Sequence, residues 1–305
     1  MRLTVWQLLG LADKSRLPSA PSPNHQSLNI KAALSAGSDR LQNVSESAEF
    51  DAQVLLAHIL GAERAWLFAH HDELLNQEQM RDWDASLARL EGGEALAYVL
   101  GEWEFYGLTF QVTKDVLIPR PETELLVEQA IDWLTARPEK RIAADVGTGS
   151  GCIAIALAVN VPDLGIIASD ISERALKVAA KNVESHGVSD QVSLVQGEIL
   201  EEISGPCDLI CANLPYIPSG RLGKLAVAQR EPLLALDGGE DGLDLIRPFL
   251  DQARGKLAPG GLLLAEIDDS HQESSGELGS EFFPGAEISV RKDLAGRTRL
   301  LRVAV

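Results

Sequence analysis

Apolar strand patterns alternate with helical patterns through the second half of the chain, and this alternation restricts the possible folds more than any other feature of the sequence. The predicted strands are Ile142–Val146, Gly165–Ser169, Val192–Gln196, Cys207–Ala212 and Leu262–Ile267, and the predicted helices are Gly151–Asn160, Glu173–His186 and Gly242–Leu257. Two last strands, Glu287–Val290 and Arg299–Val303, flank a glycine turn and predict a hairpin. Such alternation is typical of a doubly wound α/β sheet, here with one antiparallel strand.

The N-terminal part of the chain shows helical patterns without alternating strands. Leu3–Leu17 has a helix-like apolar pattern, whereas Pro18–Asp39 is rich in Ser, Pro, Ala and Asn. We predict that this second segment is a long surface loop or a partly mobile insertion. Further helices are expected from Ser45 to Gly61 and from Asn76 to Gly92, the latter with Gln79 as the capping-box partner of Asn76.

Over Ala97–Val112, apolar residues recur at about every second position, with breaks at Gly101 and Gly107. This pattern predicts a β-hairpin. Ile118–Glu124 follows, in which Pro121 suits the first position of a helix and the acidic residues complement the positive end of its dipole. A well-capped helix start does not explain why Arg120 stands between two prolines. The predicted domains are residues 1–93 (helical), residues 94–118 (a β-hairpin linker) and residues 119–305 (the α/β domain).

A glycine-rich segment joins the first predicted strand of the sheet to its first helix. Its residues are Gly147, Thr148, Gly149, Ser150 and Gly151. Glycines at this place permit a tight turn and let a ligand approach the backbone closely. The third glycine of the dinucleotide fingerprint would fall at position 152, which is Cys. We therefore expect the loop to face an adenosine or amino-acid moiety rather than a pyrophosphate.

Acidic residues follow the next two predicted strands. Asp170 ends the second strand, where an acid typically accepts hydrogen bonds from ribose hydroxyls. Glu198 follows the third strand, and with Ile199 it is expected to bind an adenine amino group and cover the ring. Taken singly, either acid also fits a solvated loop or a helix cap. Three successive strand ends that bear a glycine-rich loop and two acids favour a ligand site.

The segment after the fourth strand contains the candidate catalytic residues. Asn213 offers one acceptor and two donors, and Pro215 biases Leu214 toward an extended conformation that turns its carbonyl into the same space. Tyr216 supplies a flat aromatic face. This combination suits a planar NH2 group better than a carboxylate or a phosphate. The alternative interpretation is a strand followed by a proline turn without chemistry.

Charge, cysteine content and hydropathy argue against several classes of protein, although a local basic strip is compatible with the net charge. The formal net charge of −18 argues against binding to nucleic acid through phosphate contacts. The 3 cysteines match no zinc or disulfide spacing, which favours a reducing compartment. His70 and His71 have no third ligand at a suitable spacing, so no metal site is expected. With neither a signal segment nor a membrane span in the sequence, we expect a cytoplasmic protein.

Several motifs together resemble the HemK/PrmC family of protein-glutamine N5-methyltransferases, from about Asp51 onward. The matching segments are Tyr98–Gly101, Glu104–Gly107, Ile118–Glu124, Gly147–Gly151, Glu231–Leu236 and Lys292–Arg297. The resemblance implies a class I S-adenosylmethionine-dependent methyltransferase fold, which is Rossmann-like, with a seven-stranded sheet that ends in an antiparallel hairpin. It also implies S-adenosyl-L-methionine as the methyl donor and S-adenosyl-L-homocysteine as the product.

The same resemblance implies the substrate, which is the glutamine of the Gly-Gly-Gln motif in class I peptide chain release factors. The helical domain would then bind this protein substrate away from the glutamine, and we expect a monomer that does not act on nucleic acid. Two positions depart from the family pattern: Leu214 replaces a proline, and Asp268 replaces a glycine after Glu266 and Ile267. We expect the first change to leave the loop shape intact with a modest loss of rigidity.

Two other functions are compatible with the same motifs. An N6-adenine methyltransferase acting on DNA or RNA would use Asn213 and Tyr216 on a similar exocyclic NH2 group, but it requires a basic face for the flipped base. A non-catalytic cofactor-binding protein would have Leu214 as a mark of decay. The acidic net charge opposes the first alternative, and the intact strand-end residues oppose the second.

Overall fold

Short helices form the N-terminal part of the structure, which is a computed structural model describing residues 28–305. These helices are α1 (Ile30–Leu41), α2 (Ala48–Leu60), α3 (Arg64–Ala69), α4 (Gln77–Glu91) and α5 (Leu96–Leu100). The sequence predicts α2 and α4, including the capping box between Asn76 and Gln79, but not α3 or α5. The predicted helix over Leu3–Leu17 lies outside the described residues.

Helix α1 contradicts the later part of the predicted loop over Pro18–Asp39, because residues 30–39 are helical, whereas residues 18–27 lie outside the described part of the chain. The Asn29 side chain caps this helix by accepting a hydrogen bond from the Ala32 N–H at 2.8 Å. Gly37 lies so close to Trp83 of α4 that a Cβ atom would stand 2.4 Å from the indole ring. The absence of a side chain at Gly37 therefore allows α1 and α4 to pack closely.

The predicted hairpin is present but shorter than expected. Strands β1 (Glu102–Phe105) and β2 (Leu108–Gln111) pair in antiparallel fashion, whereas Tyr98–Leu100 belongs to α5. The guanidinium of Arg89 donates a hydrogen bond to the Tyr98 carbonyl at 2.9 Å, near the end of this helix. A contact from outside the segment thus helps to override its β-rich composition.

A seven-stranded sheet forms the second part of the protein and confirms the predicted fold class. Its strands are β3 (Ile142–Val146), β4 (Gly165–Asp170), β5 (Val192–Gln196), β6 (Cys207–Ala212), β7 (Leu257–Glu266), β8 (Glu287–Lys292) and β9 (Thr298–Ala304). The strand order is β5-β4-β3-β6-β7-β9-β8. As predicted, one strand is antiparallel, namely β9, which runs against both β7 and β8.

Helices cover both faces of this sheet. They are α6 (Glu124–Thr135), α7 (Cys152–Asn160), α8 (Glu173–Ser185), α9 (Ser219–Leu222), α10 (Ile246–Arg254) and α11 (Gln272–Phe282). Successive residues of β6 alternate between the two faces: Leu209 and Cys211 pack into the core beneath α6 and α7, and Ile210 and Ala212 into the core beneath α10. No helix within residues 28–305 is long and apolar enough to cross a membrane.

The C-terminal half departs from the prediction in two places. Helix α10 is shorter than the predicted Gly242–Leu257, and β7 already begins at Leu257. Gly242 is not helical but has φ +83°, and it packs against the Tyr216 carbonyl. Helix α11 is not predicted because its sequence is rich in Ser and Gly. Its Gly279 lies against β8, where a Cβ atom would stand 3.0 Å from Ile288.

Candidate active site

A cavity of about 390 Å³ opens at the carboxyl ends of β3, β4, β5 and β6. Among the residues that line it are Gly147, Thr148, Gly149, Ser150, Asp170, Glu198, Ile199, Asn213, Leu214 and Pro215. The fold thus brings together nearly all of the predicted site residues. Gly151 is not among the lining residues and directly precedes α7, with φ +84°. We call this space the glycine-loop cavity.

The backbone of the glycine-rich loop needs residues without a side chain. Gly147 and Gly149 have φ +70° and +56°, in the left-handed region that favours glycine. A Cβ atom on Gly147 would also stand 3.0 Å from the side chain of Leu214. The Gly149 N–H donates a hydrogen bond to the Asp170 carboxylate at 2.9 Å, which joins the loop to the end of the neighbouring strand.

A buried carboxylate supports this loop from below. Asp145 accepts hydrogen bonds from the Thr148 hydroxyl at 2.6 Å and from the Ala154 N–H at 3.2 Å. Burial raises the pKa of Asp145 to about 6. Its other oxygen, Oδ1, and the Ser150 Oγ are buried without a hydrogen-bond partner among residues 28–305. Because Ser150 lines the cavity, a polar ligand there could supply the missing partner to its hydroxyl.

The acids and their neighbour Ile199 lie on the far side of the cavity. Asp170 also accepts a hydrogen bond from the Ser172 N–H at 2.9 Å, so each of its oxygens has one protein donor and a lone pair to spare. Burial raises the pKa of Asp170. Ile199 has φ +55°, which for a β-branched residue costs about 1–3 kcal/mol. Its carbonyl accepts a hydrogen bond from the Ser169 hydroxyl at 2.8 Å, which holds this strained conformation.

A second and larger cavity, of about 1040 Å³, adjoins the first. Its walls come from the helical part of the chain, around residues 42–47, and from residues 117–121, 215–217 and 226–236 of the second part. Tyr216 lines this cavity but not the glycine-loop cavity, so we call it the Tyr216 cavity. Asn213 and Pro215 line both. They therefore stand where the two spaces meet.

Hydrogen bonds determine which way the Asn213 amide faces. Its Nδ2 lies 3.0 Å from the Thr123 hydroxyl oxygen, and that hydroxyl donates to Glu266 Oε2 at 2.6 Å. A hydroxyl that donates its hydrogen bond to a carboxylate can only accept a hydrogen bond in its other contact. The NH2 group of Asn213 must therefore face Thr123. The amide oxygen of Asn213 consequently points to the opposite side, as an acceptor.

Tyr216 is held by the same carboxylate and by a glycine loop. Its hydroxyl donates to Glu266 Oε1 at 2.9 Å, and burial raises the pKa values of both groups. Gly238 and Gly242 pack against its backbone, where added Cβ atoms would stand 2.7 Å from the Tyr216 Cα and 2.4 Å from its carbonyl oxygen. The position of the aromatic ring is therefore fixed from two directions.

Sequence reasoning missed Thr123 and Glu266 as residues of the site, although both lie in motifs that it singled out. It also left Arg120 unexplained. The guanidinium of Arg120 donates to Glu231 at 2.5 Å, and the same carboxylate accepts from the Ile118 N–H at 3.1 Å. These two contacts join two of the resembling segments beside both cavities. The sequence shows only that both motifs are present, because nothing within either motif predicts that they contact each other.

Two family models match separate parts of the chain. The model described as PrmC N-terminal domain matches residues 32–101, and the model described as Methyltransferase small domain matches residues 122–230. The second match, the sheet topology and the ligand-sized cavity at the strand ends define an S-adenosylmethionine-dependent methyltransferase.

Relatives that align over most of the chain narrow this class. Release factor glutamine methyltransferases of Bradyrhizobium diazoefficiens and Coxiella burnetii are 37% and 39% identical, covering 89% and 90% of this chain and 93% and 98% of the relatives. That of Rhodopirellula baltica is 38% identical, covering 84% of this chain and 89% of the relative. The chain belongs to the release factor glutamine methyltransferase family, and the resemblance of its motifs is confirmed.

Solved structures agree at the level of the fold. The hMettl16 catalytic domain in complex with the MAT2A 3'UTR hairpin 6 matches with a TM-score of 0.53 and 18% identity, covering 70% of this chain and 80% of that chain. A 16S rRNA methyltransferase of T. thermophilus in complex with AdoMet and guanosine matches with a TM-score of 0.50 and 17% identity, covering 67% and 49%. At these identities the similarity establishes the fold alone.

Proposed function

We propose that this protein transfers a methyl group from S-adenosylmethionine to the side-chain amide nitrogen, N5, of the glutamine in the Gly-Gly-Gln motif of class I release factors. The observation that supports this most strongly is the position of Asn213, between the two cavities, with its amide oxygen facing away from Thr123. An acceptor at this junction suits the NH2 group of a carboxamide substrate. The names of the relatives indicate which carboxamide that is.

The glycine-loop cavity fits the methyl donor. When bound, S-adenosylmethionine supplies a sulfonium-linked methyl group that a neutral nitrogen can attack. We assign Gly147–Gly151 to its amino-acid portion, Asp170 to the ribose hydroxyls, and Glu198 with Ile199 to the adenine. The unpartnered hydroxyl of Ser150 and the spare lone pairs of Asp170 match a ligand with polar groups at both places. Asn213 completes the wall that faces the transferred methyl group.

Catalysis by these residues would depend on orientation. An amide nitrogen is a poor nucleophile because its lone pair is delocalised into the carbonyl. The Asn213 oxygen and the Leu214 carbonyl would accept both N–H groups of the substrate and direct the lone pair at the methyl carbon. Orientation of reactants can contribute several kcal/mol, roughly 7–11 at most. Pro215 and Tyr216 would form the wall behind the substrate.

The Tyr216 cavity fits a substrate that is part of a protein. Its volume, about 1040 Å³, exceeds what one glutamine side chain needs, and it reaches the helical part of the chain at Asn43 and Ser47. We therefore propose that the helical domain binds the release factor while the glutamine enters beside Tyr216. The division of the chain at residues 93 and 118 stays a prediction.

The cellular setting follows from the same proposal. Cys152, Cys207 and Cys211, which are all the cysteines of the sequence, are free thiols, as expected in a reducing compartment. We propose a cytoplasmic monomer whose partner is the release factor, with no nucleic acid bound directly and no metal required for the reaction.

The test is methyl transfer from labelled S-adenosylmethionine to a purified class I release factor. A release factor in which the motif glutamine is replaced by alanine serves as the matched control, and duplex DNA tests the alternative substrate. We expect label in the first protein only. Label in the DNA, or equal label in the alanine variant, would refute the proposal.

A further inference from the structure

Three distant segments of the chain converge on the carboxylate of Glu266, at the end of β7. Thr123 and Tyr216 donate hydrogen bonds to its two oxygens. Arg299 of β9 lies near enough to lower the pKa of Glu266 against the effect of burial. Arg299 is itself held by Asp293, at 2.9 Å, in the turn before β9. A charged group in this position, only 2% exposed, is costly unless it is paired and hydrogen-bonded, and these contacts supply both.

We infer that Glu266 and Thr123 are positioning residues, which together fix the direction of the Asn213 amide. Glu266 accepts a hydrogen bond from the Thr123 hydroxyl, Thr123 in turn accepts one from the NH2 group of Asn213, and the amide oxygen is left facing the substrate. The same carboxylate holds Tyr216 on the other side of the substrate position. This inference rests on the proposed function and adds to it two residues that would act through Asn213 and Tyr216.

The direction of each hydrogen bond makes the arrangement selective. If Thr123 had no hydroxyl, the amide of Asn213 could turn over and present its NH2 group to the substrate. Two NH2 groups would then face each other, and the substrate nitrogen would lose its acceptor. If the carboxylate were replaced by an amide, its NH2 group could donate to Thr123, and the hydroxyl could donate to Asn213 instead. Either change would allow the Asn213 amide to turn its NH2 group toward the substrate, while the shape of the site stays nearly the same.

The first test compares the steady-state kinetics of methyl transfer by Thr123→Val and Thr123→Ser. We expect Thr123→Val to lower kcat by about 10–100-fold, since small misplacements in a site cost up to about 100-fold. Thr123→Ser, which keeps the hydroxyl, should restore kcat to within about threefold of wild type. KM for the release factor and the dissociation constant of S-adenosylhomocysteine should change little, because Thr123→Val keeps the shape of the side chain and removes only the hydroxyl, which is engaged by Asn213 and Glu266.

A matched control separates positioning from stability. Thr298 is equally buried, and its hydroxyl contacts Gln272 at 3.1 Å in a hydrogen bond outside the site. Thr298→Val should therefore reduce the melting temperature much as Thr123→Val does, yet leave kcat unchanged. If both valine variants lose the same activity, or if Thr123→Val keeps kcat within about threefold, the inference is wrong.

The second test uses pH. The groups that face Glu266 are Arg299, Glu122, Tyr216 and Cys152, and burial raises its pKa above the ordinary carboxyl value. Protonation below that pKa would allow the carboxyl group to donate, so wild-type kcat should fall with decreasing pH. Glu266→Gln should have a low kcat at neutral pH and should lack this acidic limb. An unchanged pH profile in Glu266→Gln would contradict the inference.

Failure of this inference can be distinguished from failure of the proposed function. If Asn213→Ala abolishes methylation while Thr123→Val and Glu266→Gln do not affect it, only the positioning role is refuted. If Asn213→Ala has no effect either, the proposed site is refuted as a whole.

Discussion

The glycine-loop cavity and the Tyr216 cavity share a wall at Asn213 but are constructed in different ways. The first is lined mainly by loops that directly follow neighbouring parallel strands, and its shape depends on backbone conformations such as φ +70° at Gly147. The second combines segments from both parts of the chain. At the wall between them, the Asn213 amide is held by Thr123, which is 90 residues away in the sequence. Thr123 is held in turn by Glu266, from which it is separated by 143 residues.

This difference suggests a division of the chemistry between backbone and side chains. A site defined by backbone conformation depends on a few glycines and tolerates many side-chain changes. A site defined by a buried hydrogen-bond network depends on each member, because an unsatisfied buried group costs about 1–3 kcal/mol. Substitutions near the glycine loop should therefore mainly alter cofactor affinity, and substitutions in the network should mainly alter turnover.

The largest effect is expected from Asn213→Ala. Removal of the acceptor should lower single-turnover methyl transfer at least about 100-fold, whereas the affinity for S-adenosylhomocysteine should change by less than about tenfold, since orientation rather than binding is lost. Asn160→Ala, at the end of α7, is the matched control and should retain full activity. Turnover of Asn213→Ala or of Tyr216→Ala within about threefold of wild type would contradict the assignment of the site.

A substitution in the glycine-rich loop should instead weaken cofactor binding more than it slows methyl transfer. Gly147→Ala forces a Cβ atom into the left-handed region and toward Leu214, and we expect it to weaken S-adenosylhomocysteine binding about tenfold, or about 1.4 kcal/mol. Gly187→Ala is the control, because Gly187 has φ +68° but no neighbour within 4 Å. It should lose comparable stability without any loss of affinity in calorimetric titration. Equal affinities for the two variants would remove the proposed role of the loop.

The smallest effect is expected where the two parts of the chain meet. Arg230 lines the Tyr216 cavity and donates to the Val44 carbonyl at 3.0 Å. Arg230→Ala removes this hydrogen bond, which contributes about 0.5–1.5 kcal/mol to holding the two parts of the chain together. Because both parts would bind the intact release factor, we expect its KM to rise about threefold. A short peptide containing the glutamine should show no such change, nor should Arg291→Ala, which alters an exposed arginine of β8. A rise in KM for the peptide as well would place Arg230 in the glutamine site instead.

The elements that sequence patterns predict well are those whose signal is contiguous. Strand–helix alternation defines the sheet and its antiparallel strand, because each burial pattern is complete within a few residues. Strand ends then bring Gly147, Asp170, Glu198 and Asn213 to one edge. The helices α1 and α11 escape prediction since their glycines suit helices only when a distant partner, such as Trp83, occupies the space of the missing side chain.

The site itself shows the same limit. Asn213 is identifiable from its motif, but the direction of its amide is not, because Thr123 and Glu266 determine it from far away in the sequence. The role of Arg120 likewise becomes clear only through its contact with Glu231. In physical terms, backbone geometry is encoded locally, whereas a buried polar network depends on the assembled fold.

The central claim is that the Asn213 oxygen accepts a hydrogen bond from the substrate amide nitrogen. A crystal structure with S-adenosylhomocysteine and a glutamine-containing fragment of the release factor tests it most directly, through the distance between Asn213 Oδ1 and the glutamine nitrogen. We expect a distance of about 2.7–3.2 Å, the range of a true N–H···O hydrogen bond, with the NH2 group of Asn213 still facing Thr123. A glutamine nitrogen beyond hydrogen-bond distance of that oxygen, or an Asn213 side chain turned away from the junction of the cavities, would contradict it.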